Sequence, residues 1–549
     1  LECKLDQPLP AFDVVYARGA EVRKHLSVRD PELLGEAILV ATGPGGGFAA
    51  SDYNVRFDSR DEKLRWLFDP IAFLAAALDD RTRPIPDTTT VSGRRLYFSH
   101  IDGDGWDNVT EIEPYAKRDV VAAEIVRTEL IAPFPDLPVT IGVIGADVDL
   151  DLGGTERAAK IARRLYRLPQ VEVASHTYTH PFDWKFFENY NRSRELALEG
   201  SGSLPRYRTL LPFDLRQEVV GSLALAQSLS PATKSAMLYL WSGDTLPFEA
   251  AVRASRIAGV RNLNGGDSRF DTDHPSLAYV PPISRLVGAE RQIHAVNSNE
   301  NTYTNDWTGP FDGFARLVET LERTELPRRL KGINLYYHMY SGEKPESLIA
   351  VKEHLQRMRT ARIAPITAST YAAIADDFYS VEFEQLGALQ WRVVSRGSLG
   401  TIRFDRANAL TVDSLKSVGV LGHNRHADAL YIALDPAVAD PVVALHETDS
   451  WPHRPATRPY LVESRWQLEG LTASPCVVDF NARGFGPGEI VMAELTPGRW
   501  QLDVTDGSST SKQKLITVGS DGVLLTAIDA DARNGVRVAL RCEPQGTQK

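Results

Sequence analysis

Short apolar runs alternate with longer amphipathic stretches between about residues 90 and 380 of the chain. The runs are rich in branched and aromatic residues and predict strands. They lie at Arg95–His100, Val139–Ile144, Val171–Ser175, Met237–Trp241, Val260–Leu263, Gln292–Val296, Ile333–His338 and Ile363–Ile366. Helical periodicity fills the gaps, at Arg118–Ile131, Thr155–Tyr166, Leu215–Leu229, Phe248–Ala258, Phe311–Leu321 and Glu346–Met358. Repeated strand–helix units predict an α/β fold, a (β/α) barrel with its chemistry at the carboxyl ends of the strands.

After about residue 380 the pattern changes to period two, with Gly and Pro at the turns, which predicts an antiparallel β-sandwich. Its strand-like segments are Gln390–Val394, Thr401–Phe404, Ala429–Leu434, Arg465–Leu468, Ile490–Leu495, Trp500–Val504, Lys514–Val518 and Val536–Arg541. Residues 1–88 do not have the pattern of a complete domain, although Glu62–Leu78 predicts an amphipathic helix. We therefore expect the end of a preceding α/β domain or a linker at 1–88, the barrel at 89–380 and the sandwich at 381–549, with carbohydrate binding as a candidate role for the sandwich.

Composition narrows the class of protein. The 549 residues carry a formal net charge of −11, which argues against a nucleic-acid partner because phosphate binding needs clustered cations. An acidic surface suits a neutral or cationic substrate. No apolar run approaches the roughly 20 residues that cross a bilayer, so no membrane span is expected. The chain starts at Leu1 without a visible secretory signal, as a processed chain would.

Three cysteines, Cys3, Cys476 and Cys542, have none of the paired spacings of a zinc or redox motif. A disulfide between Cys476 and Cys542 and a pair of free buried thiols are both compatible with the sequence.

Polar groups follow several of the predicted strands. Asp102 and Asp104 follow the first, His176 and His180 follow the third, and His338 ends a later one. Two histidines and a carboxylate form a common divalent site, matched to zinc where a position stays open for water. The i, i+4 spacing of the histidines predicts both rings on one face of a helical turn. The second aspartate would supply a base for hydrolysis. Alone, an Asp-Gly-Asp-Gly run is usually a polar turn and a His-x-x-x-His run a helix surface; together at strand ends they favour a metal hydrolase.

The motifs around these residues resemble those of the NodB-type polysaccharide deacetylases, in particular the PelA-type carbohydrate esterases, a family that includes a fungal galactosaminogalactan deacetylase. The resemblance covers about residues 90–380. It rests on His100-Ile101-Asp102-Gly103-Asp104-Gly105, Ser175-His176-Thr177-Tyr178-Thr179-His180, Trp241-Ser242-Gly243-Asp244, Asn264-Gly265-Gly266-Asp267, Asn299-Glu300-Asn301-Thr302-Tyr303-Thr304-Asn305 and Tyr336-Tyr337-His338-Met339-Tyr340-Ser341-Gly342.

The resemblance implies a fold, a reaction and residue roles. The fold would be a NodB-like distorted (β/α) barrel. Asp102 would be the general base, His338 the general acid, and Asp104, His176 and His180 the ligands of a divalent metal, zinc. The reaction would be N-deacetylation of an N-acetylhexosamine exopolysaccharide, rich in N-acetylgalactosamine, during biofilm matrix production. The resemblance also implies a periplasmic location and exopolysaccharide secretion proteins as partners.

The sequence departs from the NodB-type pattern at the base. Gly103 separates aspartates that are adjacent in most members, and we assign no Arg-x-Pro motif to the orientation of Asp102. What orients Asp102 is therefore an open question at this point. His100 shares the strand face of Asp102, and a hydrogen-bonded structural histidine is the favoured interpretation.

Further residues are candidates for substrate binding: Trp241, Asp244, Asn299 and Tyr303. Trp241 could stack on a sugar or fill the core. Asn299, Glu300, Asn301 and Tyr303 form a polar cluster that suits substrate contact or support of the rim. His423 and His426 are expected in a solvated loop rather than at a metal.

The alternative function is a catalytically inactive protein that binds or assembles polysaccharide through the sandwich. The complete set of Asp102, Asp104, His176, His180 and His338 favours the enzyme.

Overall fold

A curled parallel sheet forms the first large unit of the protein. The structure, a computed structural model, describes residues 9–29, 35–78, 83–200, 202–447, 458–506 and 511–543. The Asp102 strand (Arg94–Asp102) and the His338 strand (Ile333–His338) lie side by side at one end of the sheet. Across the sheet the order is Arg261–Leu263, Ala236–Leu240, Val171–Ser175, Val139–Val143, the Asp102 strand and the His338 strand, all parallel.

The sheet curls into a half-barrel, and it branches at the Asp102 strand, which pairs with two different strands along its length. Ile363–Pro365 pairs with the first half of that strand, whereas Val139–Val143 pairs near its carboxyl end. The predicted barrel strand at Gln292–Val296 is wrong: Glu290–Ile293 forms an antiparallel hairpin with Ser284–Val287. The loop between them has only two residues, and Gly288 supplies the left-handed backbone (φ 62°) that such tight hairpins need.

Helices cover the faces of the sheet, and their inward sides are apolar. Their bounds are Ala122–Ile125, Gly145–Val148, Glu156–Tyr166, Trp184–Glu188, Arg192–Leu196, Ser222–Leu229, Glu249–Ile257, Leu317–Arg323, Pro345–Thr360 and Ala368–Asp377, with wider π-type turns at Val126–Ile131 and Gln217–Gly221. In the described part of the chain, no helix is long and apolar enough to cross a membrane.

Antiparallel β-sheets follow the α/β domain, and the predicted fold class is confirmed. One sheet holds Glu382–Gly387, Gln390–Val394, Leu410–Val412 and Val442–Glu447, and another holds Gln467–Ser474, Val477–Arg483, Gly498–Asp506, Ser511–Val518 and Val536–Cys542. Between them runs a sheet of Thr401–Phe404, Val420–His426, Ala429–Leu434, Tyr460–Ser464, Gly488–Ala493 and Leu524–Ile528, joined by Ile85–Pro86. Separate apolar cores form around Trp391 and around Trp466 and Trp500.

Two expectations for the C-terminal region are now decided. Cys476 and Cys542 form a disulfide, while Cys3 lies outside the described residues. The loop expected at His423 and His426 is wrong, because both residues lie on the strand Val420–His426. The His423 ring stacks on Tyr460.

The N-terminal residues form small antiparallel sheets. Arg23–Arg29, Glu36–Gly43 and Gly46–Ala49 make one, and Val55–Asp58 pairs with Lys63–Trp66. The predicted helix at Glu62–Leu78 is therefore wrong in its first part, and the observed helix is Pro70–Leu78. Asp69 fixes the start, since its Oδ1 accepts the backbone N–H groups of Ile71 and Ala72, and Pro70 suits the first helical position.

Ion pairs of the buried Arg94 join the start of the Asp102 strand to the buried Glu463 and the half-exposed Glu489 of the C-terminal sheets. The Arg94 guanidinium donates to Glu463 at 3.0 Å and to Glu489 at 2.7 Å. Arg362, an exposed residue, pairs with the same Glu463.

Candidate metal centre

Polar side chains from several strand ends meet in one pocket of about 350 Å³ at the carboxyl edge of the half-barrel. Its lining consists of Asp102, Asp104, His176, His180, Trp241, Gly243, Asp244, Thr245, Gly265, Asp267, Asn299, Asn301, Tyr336, His338 and Tyr340. The edge is the one at which the repeated strand–helix pattern predicts chemistry.

Asp104, His176 and His180 form a group that could bind a metal ion. The two carboxylate oxygens of Asp104 lie 3.1 Å from His176 Nε2 and 3.1 Å from His180 Nε2, and the two Nε2 atoms are themselves 3.1 Å apart. Such spacing is close to the edge of a tetrahedron with zinc–ligand bonds of about 2.0–2.1 Å. Two imidazole nitrogens and one carboxylate are a zinc-type donor set.

The Asp104 carboxylate and the His180 imidazole stabilise each other's charged forms. Burial opposes ionisation of Asp104, but His180 and His176 hold its pKa well below the ordinary value. Burial would likewise lower the pKa of His180, yet the Asp104 carboxylate raises it. An ionised carboxylate flanked by two imidazoles is a donor set that a divalent cation can bind in place of these protons.

The segment from His176 to His180 is not the predicted helical turn. Thr177 and His180 have left-handed backbone angles (φ 66° and 54°), so the loop folds back to bring the rings together. The buried Glu218 carboxylate anchors this loop by accepting the N–H groups of Tyr178 and Thr179 and the Thr179 hydroxyl. Sequence reasoning missed Glu218, because a lone glutamate in an amphipathic helix gives no signal of such a role.

Gly103 lets the two aspartates project from one tight strand end. A Cβ at this position would lie 2.9 Å from Ile144 N and 3.0 Å from Gly142 O. Contacts this short exclude a side chain unless the neighbouring strand shifts. The glycine is thus explained by backbone packing against the end of Val139–Val143.

Asp102 is buried, and only one of its two carboxylate oxygens accepts hydrogen bonds. Its Oδ2 accepts hydrogen bonds from Asn264 Nδ2 at 2.9 Å and from Tyr336 Oη at 2.6 Å. Its Oδ1 has no hydrogen-bond donor among the described residues and lies 3.5 Å from His176 Nδ1. Asn264 and Tyr336 belong to motifs noted in the sequence, but their roles become visible only in the fold.

His338 faces the same pocket and is oriented by Glu300. Its Nδ1 lies 2.9 Å from Glu300 Oε2, and its backbone N–H donates to Glu300 Oε1 at 2.7 Å. Burial alone would lower the pKa of His338, but the Glu300 carboxylate, with Asp104 and Asp102 behind it, raises it to about 9. An imidazolium whose Nε2 faces the pocket is an available proton donor. Glu300, grouped above with the rim cluster, is buried beneath the rim.

The residues predicted to bind substrate separate into two sets. Trp241, Asp244 and Asn299 line the pocket. Trp241 is nevertheless fully buried, and its Nε1–H donates to Asn262 Oδ1, so the side chain belongs to the core. Tyr303 is not brought into the lining of the pocket; its ring packs on Phe314 and its hydroxyl contacts Thr320.

No protein-family model and no curated protein matches the chain. Among solved structures, it is similar to a 4-alpha-glucanotransferase from Thermococcus litoralis, with 9% identity, a TM-score of 0.32 and coverage of 82% of this chain and 99% of that one. A GH30 endoxylanase from Clostridium papyrosolvens has 7% identity and a TM-score of 0.19, and the match covers 83% of this chain and 98% of that one. A glucosidase from Croceicoccus marinus has 10% identity and a TM-score of 0.18, and the match covers 86% of this chain and 83% of that one. Likenesses at these scores assign no family and carry no argument about function.

Proposed function

We propose that this chain is a metal-dependent N-deacetylase that removes acetyl groups from an N-acetylhexosamine polysaccharide. The supporting observation is the combination of groups in one pocket. A donor set suited to zinc lies beside Asp102, whose Oδ1 has no hydrogen-bond donor among the described residues. His338 lies in the same pocket, and Glu300 raises its pKa to about 9 against the effect of burial. Metal, base and acid are the components that hydrolysis of an acetamide requires.

Asp104, His176 and His180 would hold the metal, which when bound would polarise the acetamide carbonyl and lower the pKa of water. Asp102 Oδ1 accepts the proton of the attacking water, because Oδ2 is already occupied by two donors. His338 Nε2 donates a proton to the departing nitrogen. Water is consumed, the C–N bond breaks, and acetate and a free amine are the products.

The protonation state of His338 favours an amide over an ester substrate. An amine leaves only after its nitrogen gains a proton, whereas an ester oxygen needs less help. An acid that stays protonated at neutral pH is suited to the harder case. The identity of the sugar as N-acetylgalactosamine, the biofilm role, the secretion partners and the periplasmic location rest on the resemblance alone.

The test is acetate release from N-acetylgalactosamine and N-acetylglucosamine oligomers of defined length by the zinc-loaded chain. We expect release that a chelator abolishes and added zinc restores. Binding of the oligomers without acetate release would overturn the proposal and support the inactive binding protein instead.

A further inference from the structure

The interior beneath Asp102 holds a chain of neutral polar side chains that the proposed reaction does not yet use. In the register of the two neighbouring strands, Tyr336 lies opposite His100 and His338 opposite Asp102. Because side chains alternate along a strand, His100 and Asp102 share a face with Asn334, Tyr336 and His338. Strand pairing alone therefore places these groups together under the pocket.

Hydrogen bonds connect His100 to Asp102 through Asn264. His100 Nε2 lies 3.0 Å from Asn264 Oδ1, and Asn264 Nδ2 donates to Asp102 Oδ2 at 2.9 Å and to Trp241 O at 2.8 Å. An amide whose oxygen accepts from His100 must turn its nitrogen toward Asp102. The donor on His100 and the acceptor Trp241 O together fix which end of the Asn264 amide meets the carboxylate.

The other side of the His100 ring is equally constrained. The ring stacks on Tyr336 with a centroid separation of 4.0 Å, and its Nδ1 lies 3.2 Å from Asn334 Oδ1. Burial lowers the pKa of His100 to about 4, so the ring is neutral at ordinary pH. A neutral ring carries one N–H, so a ring that donates from Nε2 to Asn264 needs a donor at Nδ1. Rotating the Asn334 amide exchanges its oxygen for Nδ2, a buried donor without a partner among the described residues, and supplies that donor.

We infer that His100, Asn264 and Tyr336 form a neutral hydrogen-bonded support that orients Asp102, with its Oδ1 left free to accept a proton. His100 acts through Asn264 and is a positioning residue, whereas Tyr336 and Asn264 contact the carboxylate directly. No arginine or lysine in the described ranges makes an ion pair with Asp102. The imidazoles of His176 and His338 lie 3.5 and 3.9 Å from its oxygens, so Asn264 and Tyr336 are its hydrogen-bond donors. The inference rests on the proposed function in giving Asp102 the role of base.

Two substitutions of His100 separate orientation from packing. In His100→Gln the side-chain amide can still donate to Asn264, whereas His100→Leu keeps bulk but removes the donor. We expect His100→Leu to lower kcat by about 10–100-fold, the usual cost of losing a supporting partner at such a site. KM should stay near the wild-type value, and His100→Gln should recover most of the loss.

Tyr336→Phe tests the same support with almost no change in volume, which guards against misfolding of the His100 variants. It should lower kcat to a similar extent. The matched control is Tyr166→Phe, which removes a buried hydroxyl that contacts Ile141 O and Ala174 O within the domain core, and which should leave kcat unchanged.

The deciding readout is structural and does not depend on activity. In crystal structures of the zinc-loaded variants, the Asn264–Asp102 hydrogen bond should keep its length in His100→Gln and lengthen in His100→Leu, where the Asn264 oxygen loses its donor and Trp241 O still holds Nδ2. An unchanged length of that bond in His100→Leu, or an equal fall in kcat for His100→Leu and His100→Gln, would overturn the inference. If the wild type releases no acetate, the deacetylase proposal fails, and the comparison of the two crystal structures still decides the role of His100.

Discussion

The two ends of the Asp102 strand differ in how their charged side chains are paired. At its start, the buried Arg94 is matched by Glu463 and Glu489, and Arg95 by backbone carbonyls, Thr324 and Glu325. At its end, Asp102 keeps an oxygen without a donor, and the donor atoms of Asp104, His176 and His180 crowd together at 3.1 Å. Matched charges hold sheets together, whereas donor atoms crowded in this way suit a ligand. The same strand thus links a structural end to a chemical end.

Removal of a metal ligand should have the largest effect at the chemical end. His176→Ala leaves two of the three donors, so we expect bound zinc to be lost. Acetate release should fall by about 10³-fold or more, because the metal supplies several kcal/mol to the transition state. Metal analysis and acetate assays on the same preparation check this. His25→Ala, in the N-terminal sheet, is the control; zinc retained by His176→Ala would contradict the assignment of the ligands.

Asp102→Asn should separate proton transfer from metal binding. The amide keeps the shape of the carboxylate but cannot accept the proton, so kcat should fall by about 10²–10⁴-fold. Zinc content and melting temperature should stay near the wild-type values. Near wild-type turnover would remove Asp102 from the mechanism.

Arg94→Met tests the structural end. Removing Arg94 leaves the buried Glu463 with only the exposed Arg362 as an ion-pair partner, and breaking a buried pair costs about 3–5 kcal/mol in the free energy of unfolding. Arg362→Met, which removes the exposed partner of the same Glu463, should cost less than about 1 kcal/mol. Urea unfolding of both variants measures the difference. Equal costs would show that burial does not distinguish the two arginines.

Glu300→Gln should produce the smallest loss and a shift in pH dependence. The Glu300 carboxylate raises the pKa of His338 against burial, so its removal lowers that pKa. A general acid works only below its pKa, hence the alkaline limb of the kcat profile should move to lower pH. At neutral pH we expect a loss of about 10–100-fold. An unchanged alkaline limb would show that His338 is not the acid.

Much of this arrangement could be predicted from the sequence because it depends on local patterns. The pattern of apolar residues predicted the strands Val171–Ser175 and Ile333–His338 with the bounds that the structure shows. Once strands are parallel, the residues after them share an edge, so Asp104, His176 and His180 could be expected to meet. The helical geometry of His176–His180 failed because Glu218, far along the chain, imposes a different loop.

What could not be predicted depends on contacts between distant segments. The supports of Asp102 and His338 come from Asn264, Tyr336 and Glu300, and nothing local to Asp102 identifies them. The barrel strand expected at Gln292–Val296 failed because a two-residue turn at Gly288 pairs Glu290–Ile293 with Ser284–Val287 instead. Tyr303 resembled a rim residue by its polar neighbours, yet its ring packs in the interior.

The most direct test of the central claim is a zinc titration of metal-free protein, with acetate release from an N-acetylhexosamine oligomer measured at each addition. The account predicts that release rises with zinc and saturates at one equivalent per chain, and that His176→Ala shows neither tight binding nor release. Acetate release that does not depend on metal, or none at saturating zinc with every oligomer, would contradict it.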